Sequence, residues 1–395
     1  MNQPSPATTA RGAALDVPQL MRAAQQESGL SDWGDDASFQ IGLERLVDSL
    51  NQIQAPAEFF QQAQARLQHS LVTRLRLTED ARLNPEIVQA SIERPIIVIG
   101  LPRTGTTVLY DLLALDPDTR TPRDWEFAMP WPATEAATFD SDPRITILNQ
   151  QFAQILQLAP ALADIQHFEA TNPSECNLAL THHFATTQFF AEWSVPNYSE
   201  WLREVRPPGQ YRTHKRLLQQ LQWKGPRGRW TLKSPGHLFD LDGLIEAYPD
   251  AGLIWTHRDP LFALSSLTSM ICQFRQIIGI DFEPKRVGRQ VLDMWSTAIE
   301  RACTSRLSDP AIERAVIDIP HRDVIADRNA VVRRIHEHFD LPWNAEHQRR
   351  LEGDAAGNAT QRLGKHKHRP EEFGLSAEEV RERLPLYYRL CGDFF

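Results

Sequence analysis

Residues 94–113 read RPIIVIGLPRTGTTVLYDLL. Pro95–Ile99 is a short, continuous apolar run rich in β-branched residues, the pattern of a strand buried on both faces of a parallel sheet. Val108, Leu109, Leu112 and Leu113 then recur at helical spacing. Between them Gly100 and Gly105 keep the spacing of a phosphate-binding loop, G-x-x-x-x-G-K-[ST]. The lysine of that pattern is missing: Thr106 stands in its place, Thr107 follows, and Arg103 is the cation of the loop. Backbone N–H groups of Arg103, Thr104, Gly105, Thr106 and Thr107 are expected to line a concavity at a helix N-terminus, which binds an anion whatever the side chains are. A kinase or ATPase needs more: a lysine on the β/γ-phosphates and a magnesium ion held partly by an acidic residue.

Outward from the loop, Trp230–Lys233, Leu253–Thr256 and Ala315–Ile319 read as further short strands. Asp259 fits a helix N-cap and Pro260 the first helical position, with Leu261, Leu264 and Thr268 continuing the helix. Strands alternating with helices predict an α/β fold, a P-loop-type, mostly parallel sheet flanked by helices. Ligands of such sheets bind at the carboxyl ends of the strands. The loop after Ile99, Lys233 and Arg258 all fall there. No acidic residue is found at these strand ends: one strand runs into Thr256-His257-Arg258, and Asp318 lies inside its strand.

Residues 1–90 are expected to form an N-terminal helical extension, because Leu43, Leu46, Val47 and Leu50, and then Phe59 to Leu77, keep helical spacing up to the break at Asn84-Pro85. Residues 91–395 make the α/β domain. Within it the proline-rich stretch 120–143 reads as an irregular, pocket-building segment. Roughly 144–224 reads as a helical lid over the acceptor region, and 355–395 as a C-terminal segment covering the donor.

A net charge of −9 over 395 residues and a pI near 5.8 argue against a nucleic-acid binder. No stretch approaches 18 apolar residues and the N-terminus has no apolar signal core, so a cytoplasmic protein without a transmembrane helix is expected. Cys176, Cys272, Cys303 and Cys391 are far apart, and the close histidine pairs carry no H-E-x-x-H pattern, so reduced thiols and no metal site are expected.

G-L-P-R-T-G-T-T, then W-T-L-K-S-P-G-H-L, then W-T-H-R-D-P-L-F-A-L-S-S, in this order and spacing, resemble the sulfotransferase family that uses 3′-phosphoadenosine 5′-phosphosulfate (PAPS), in particular its bacterial branch with arginine in the loop. The resemblance runs over most of the chain. It implies transfer of a sulfuryl group from PAPS to a hydroxyl of a small or lipid-like acceptor, by in-line displacement and without a metal. The donor carries one 5′-phosphate and a 3′-phosphate, so it needs two anion sites and no magnesium-bridged triphosphate. The resemblance assigns the 3′-phosphate to Arg258 and to Ser266, eight residues later, and the bridging oxygen and leaving phosphate to Lys233 with Arg103. Thr106 and Thr107 would bond the 5′-phosphate.

Two residues compete as the base that deprotonates the acceptor. Glu126, in RTPRDWEFAMPWP, lies where the tyrosylprotein and heparan-sulfate branches place a catalytic glutamate, among apolar neighbours that raise a carboxyl pKa. His237 follows Lys233 by four residues, where the phenol and steroid branches have a histidine two residues after a lysine. Arg362, Gly364 and Lys365 match the basic, glycine-bearing loop the family folds over the 3′-phosphate. Trp125, Trp131, Phe168, Phe184, Phe189 and Phe190 suit a lid over an apolar acceptor. Two other readings stay open: a divergent P-loop nucleotide kinase, and a catalytically inactive nucleotide-binding protein.

Overall fold

The computed structural model describes residues 14–164, 167–356 and 369–395. Five parallel strands form the sheet: β1 (Ile96–Gly100), β2 (Thr119–Arg120), β3 (Arg229–Lys233), β4 (Gly252–His257) and β5 (Val316–Pro320), in the order β2-β3-β1-β4-β5. Every residue of β1 and β4 is buried, which is why both read as unbroken apolar runs. Their side chains alternate between two cores. Ile97, Ile99, Leu253 and Trp255 enter one, which the helix Pro284–Ser308 closes with Val291, Trp295 and Ile299. Ile96, Val98 and Ile254 enter the other, against Leu109, Tyr110 and Leu113 of the loop helix Thr106–Leu113.

The four strands expected from the sequence are present, shifted by a residue or less at most ends. β2 escaped notice because two residues carry no periodicity. The chain leaves β1 toward one edge and comes back through β3 to cross to β4, so the strand order reverses beside β1. Ligand crevices form at such a point. Register brings the motifs together there: Val98 pairs with Lys233 and Gly100 with Thr256, two residues before Arg258.

Helices Val17–Ser28, Phe39–Leu50 and Ala57–Leu83 share one apolar cluster with Phe184, Phe189, Trp193 and Tyr198. The N-terminal helices are thereby fastened to the segment between residues 184 and 202. Trp125, Phe184, Phe189 and Phe190 are core residues, whereas Trp131 remains 39 % exposed. The described part of the C-terminal segment, residues 369–395, packs Phe373, Val380, Leu384 and Tyr387 into the same core as the helix Pro284–Ser308. Tyr387 pairs its hydroxyl with His257 Nδ1 at 2.9 Å, and His257 Nε2 meets Asp318 at 2.8 Å. Burial would raise the Asp318 carboxyl, but hydrogen bonds from His257 and Arg306 overcome it and hold the group at about 2. That acid is spent on the fold.

Candidate functional site

Both loop glycines are required by geometry. Gly100 (φ +137°) would drive a Cβ to 2.5 Å from Thr256 Oγ1, and Gly105 (φ +92°) would drive one to 2.9 Å from the His321 ring. Arg103 itself adopts φ +70°, a left-handed conformation costing an L-residue about 1–2 kcal/mol. None of the N–H groups of Arg103 to Thr107 finds an acceptor among the described residues. These donors lie at the start of the loop helix, where the helix end favours an anion by ~1 kcal/mol, up to ~2 when partly buried.

Thr104 contributes no side chain to this donor group. Its hydroxyl is buried, donating to Leu101 O at 2.7 Å and meeting Thr256 Oγ1 at 2.6 Å. It braces the loop against β4, and only its N–H is left for a ligand.

The second cation arrives from β4. Arg258 Nη1 donates to Arg103 O at 3.0 Å, and Arg103 Nε donates to Ser266 Oγ at 3.2 Å. Residues separated by more than 150 positions thus meet in one corner. Burial lowers the Arg103 pKa, and the charge of Arg258 lowers it further. Two neighbouring guanidiniums repel each other, and a phosphate between them would remove that cost. His321, the residue after β5, stands over Gly105; burial and then Arg258 depress its pKa. Sequence reasoning passed over His321. The signal was there: it follows the predicted strand Ala315–Ile319 as Arg258 follows another.

Lys233 closes the opposite side. Its side chain is 3 % exposed, its Nζ donates to Thr107 Oγ1 at 3.3 Å, and it forms an ion pair with Glu175. Tyr110 lies beneath it, the ring centroid 5.6 Å from Nζ. Glu175 is 39 % exposed, so the same carboxylate touches the lysine and the solvent. Asp124 lies behind. Burial pushes its carboxyl up to about 7, with Glu175 and Asp111 adding like charge against the Ser174 hydrogen bond and the Lys233 charge. Neither acid was singled out from the sequence, because Glu175 lies 58 residues before Lys233 and carries no motif of its own.

Glu126 does not reach this centre. It is fully buried and accepts from Arg120 Nη1 at 2.9 Å, from Arg120 Nη2, from the Arg123 N–H at 3.0 Å and from the Thr134 hydroxyl at 3.0 Å. Both oxygens are occupied, and no surface is left for an acceptor. The residue caps its own short helix, Asp124–Ala128, and anchors Arg120. His237 is likewise withdrawn. It is fully buried, with Nδ1 3.1 Å from the Tyr211 hydroxyl, so it neither serves as a reachable base nor lines an open pocket. Arg362, Gly364 and Lys365 lie outside the described residues.

A family model described as the sulfotransferase family matches residues 95–345. The omega-hydroxy-beta-dihydromenaquinone-9 sulfotransferases Stf3 of Mycobacterium bovis and Mycobacterium tuberculosis are each 25 % identical over 265 residues, 62 % of this chain and 63 % of theirs. The chain therefore matches less than two thirds of the length of these curated relatives. Crystal structures of sulfotransferase STF1 from M. tuberculosis H37Rv (28 % identity, TM-score 0.82, 95 % of this chain and 99 % of that one) and of STF9 from Mycobacterium avium (27 %, TM-score 0.84, 98 % of each) share the fold throughout. With its family model covering the whole span from β1 past β5, the chain belongs to the sulfotransferase family.

Proposed function

We propose that the protein transfers the sulfuryl group of PAPS to a hydroxyl of a lipid-like acceptor. One observation carries this reading: two cations from separate segments reach the glycine-bearing loop that holds Arg103, Arg258 through Arg103 O and Lys233 through Thr107 Oγ1. In this reading the loop and Lys233 hold the 5′-phosphosulfate, while Arg258 and Ser266 take the 3′-phosphate. The acceptor oxygen attacks sulfur, the bond from sulfur to the bridging oxygen breaks, and the electron pair leaves on the 5′-phosphate. Lys233 meets the charge growing on that oxygen. Glu175 accepts the acceptor's proton, since a base must first be within reach of it. No step calls on a metal.

A lipid-like acceptor is supported by the substrate in the Stf3 name and by apolar surface beside the donor corner. Phe262 is 50 % exposed one helical turn before Ser266. Four buried, unpaired cysteines fit a reducing, cytoplasmic setting.

The test is ligand stabilisation. The product 3′,5′-adenosine bisphosphate, with no metal added, is expected to raise Tm more than equimolar ATP with magnesium, since the tighter ligand stabilises more. Arg258→Ala is expected to weaken the bisphosphate about 10–100-fold, the loss of one charge-assisted contact of about 1.5–3 kcal/mol, while the free protein melts as before. Equal affinity in wild type and variant would take Arg258 out of the site. Lys233→Met is expected to lower turnover about 10²–10³-fold, the cost of deleting one preorganised donor to the leaving oxygen. A smaller loss of bisphosphate affinity should accompany it, read by the same melting assay.

A further inference from the structure

Behind Lys233 a second cluster of chemistry-bearing side chains is left over by the reaction. It consists of Cys176, His214 and His237, from the short helix Cys176–Ala179, the helix Gln210–Trp223 and the 3-10 turn Pro235–Phe239. All three are fully buried. One ligand atom from each lies within 4.8 Å of the other two.

Each imidazole has one nitrogen engaged. His214 Nδ1 is 2.7 Å from the Tyr248 hydroxyl, and His237 Nδ1 is 3.1 Å from the Tyr211 hydroxyl. Both Nε2 atoms are buried and have no partner among the described residues. A buried polar atom without a partner is costly, and here two such atoms belong to rings grouped with a thiol. With Nδ1–H donated to each tyrosine oxygen, both Nε2 lone pairs are bare. Orientation of a ligating histidine by a hydrogen bond on its other nitrogen is the usual support of a metal site.

We propose that Cys176, His214 and His237 form a buried site for one soft monovalent cation, Cu(I). The ligand set selects the ion class: a thiolate with two neutral imidazoles suits soft metals, not Mg²⁺ or Ca²⁺. Each ring, donating Nδ1–H to its tyrosine, presents a neutral imidazole with a bare Nε2. Charge selects within the class. A thiol with two neutral imidazoles carries one exchangeable proton and no net charge. Cu(I) replaces that proton one for one: the S–H bond breaks, a Cu–S bond forms, one proton leaves to solvent, and the site stays neutral. A divalent ion would leave one positive charge buried in the site, with no carboxylate among the three ligands.

The ion would be a staple rather than a reactant. It would join the helix after Glu175 and the turn after Lys233, which follow two of the proposed catalytic side chains, to the helix Gln210–Trp223. Sequence spacing hides it, because Cys176, His214 and His237 form no short motif. The inference is independent of the donor reading and would stand if no sulfuryl transfer were found.

The full-length protein, kept reduced and anaerobic, is titrated with Cu(I) against a chromogenic bicinchoninate competitor. One equivalent per chain is expected, with a higher Tm. Cys176→Ser and His214→Gln are each expected to lose that equivalent, and the triple variant Cys272→Ser, Cys303→Ser, Cys391→Ser to keep it. Circular dichroism establishes that the variants fold. X-ray absorption of the wild type, which needs no variant, is expected to show one sulfur and two nitrogen neighbours. Failure to retain copper, retention by Cys176→Ser, or two or more sulfur neighbours would overturn the site. Zinc held more tightly than Cu(I) would overturn the choice of a monovalent ion.

Discussion

Glu175→Gln is expected to lower turnover by about 10²–10⁴-fold at saturating donor and acceptor, the range for removal of a general base. The amide keeps the size of the side chain but cannot take the acceptor's proton. Its ion pair with Lys233 is lost as well, yet Lys233 retains Thr107 as a partner. Affinity for 3′,5′-adenosine bisphosphate should change little, because Glu175 has no part in the loop or the Arg258 corner. Asp124 remains behind the site, its carboxyl still raised by burial but relieved of the like charge of Glu175. Residual turnover of the variant should therefore rise with pH over a range below 7, as Asp124 gives up its proton and becomes a weak substitute base. Wild-type turnover in Glu175→Gln would remove the residue from the chemistry. A collapse confined to His237→Gln would restore the histidine as the base.

Glu126→Ala is expected to act on stability instead, by about 3–5 kcal/mol, the cost of leaving one partner of a buried ion pair alone. Arg120 is only 4 % exposed at its side chain, and its guanidinium lies 4.6 Å from the Phe139 ring centroid and 4.8 Å from that of Trp230. Without Glu126 that charge has no carboxylate, the Arg123 N–H has no acceptor, and the Thr134 hydroxyl loses its partner. Typical domains have about 5–15 kcal/mol in total, so the variant should melt far below the wild type or fail to accumulate. Urea denaturation followed by far-ultraviolet circular dichroism measures it. Wild-type stability with lost turnover would return Glu126 to the list of bases.

These two glutamates show where sequence reasoning stopped. Glu126 stands in a motif-like, tryptophan-flanked stretch and attracted the catalytic role, while Glu175 sits in the plain run Asn172-Pro-Ser-Glu-Cys176. Nothing local distinguishes a carboxylate that turns inward to an arginine from one that turns outward to a lysine. The partner decides, and Arg120 and Lys233 are brought to their carboxylates by chain folding. Likewise, Thr104 belongs to the loop by sequence, yet its hydroxyl is held by Thr256, 152 residues away.

What the sequence by itself determined is local in origin. An unbroken β-branched run specifies a strand buried on both faces, two glycines at fixed spacing specify a turn no other residue fits, and Asp259-Pro260 specifies a helix start. Asp259 Oδ1 does accept the Leu261 N–H at 2.9 Å. Parallel pairing then leaves little freedom, so the loop, Lys233 and Arg258 had to share one edge of the sheet. Only the tertiary structure decided which acid pairs with Lys233, that His321 stands over Gly105, and that Cys176, His214 and His237 converge in a buried cluster. The physical reason is range. Backbone conformation answers to neighbours a few residues away, whereas the environment of a buried charge or an imidazole is set by whatever distant segment packs against it.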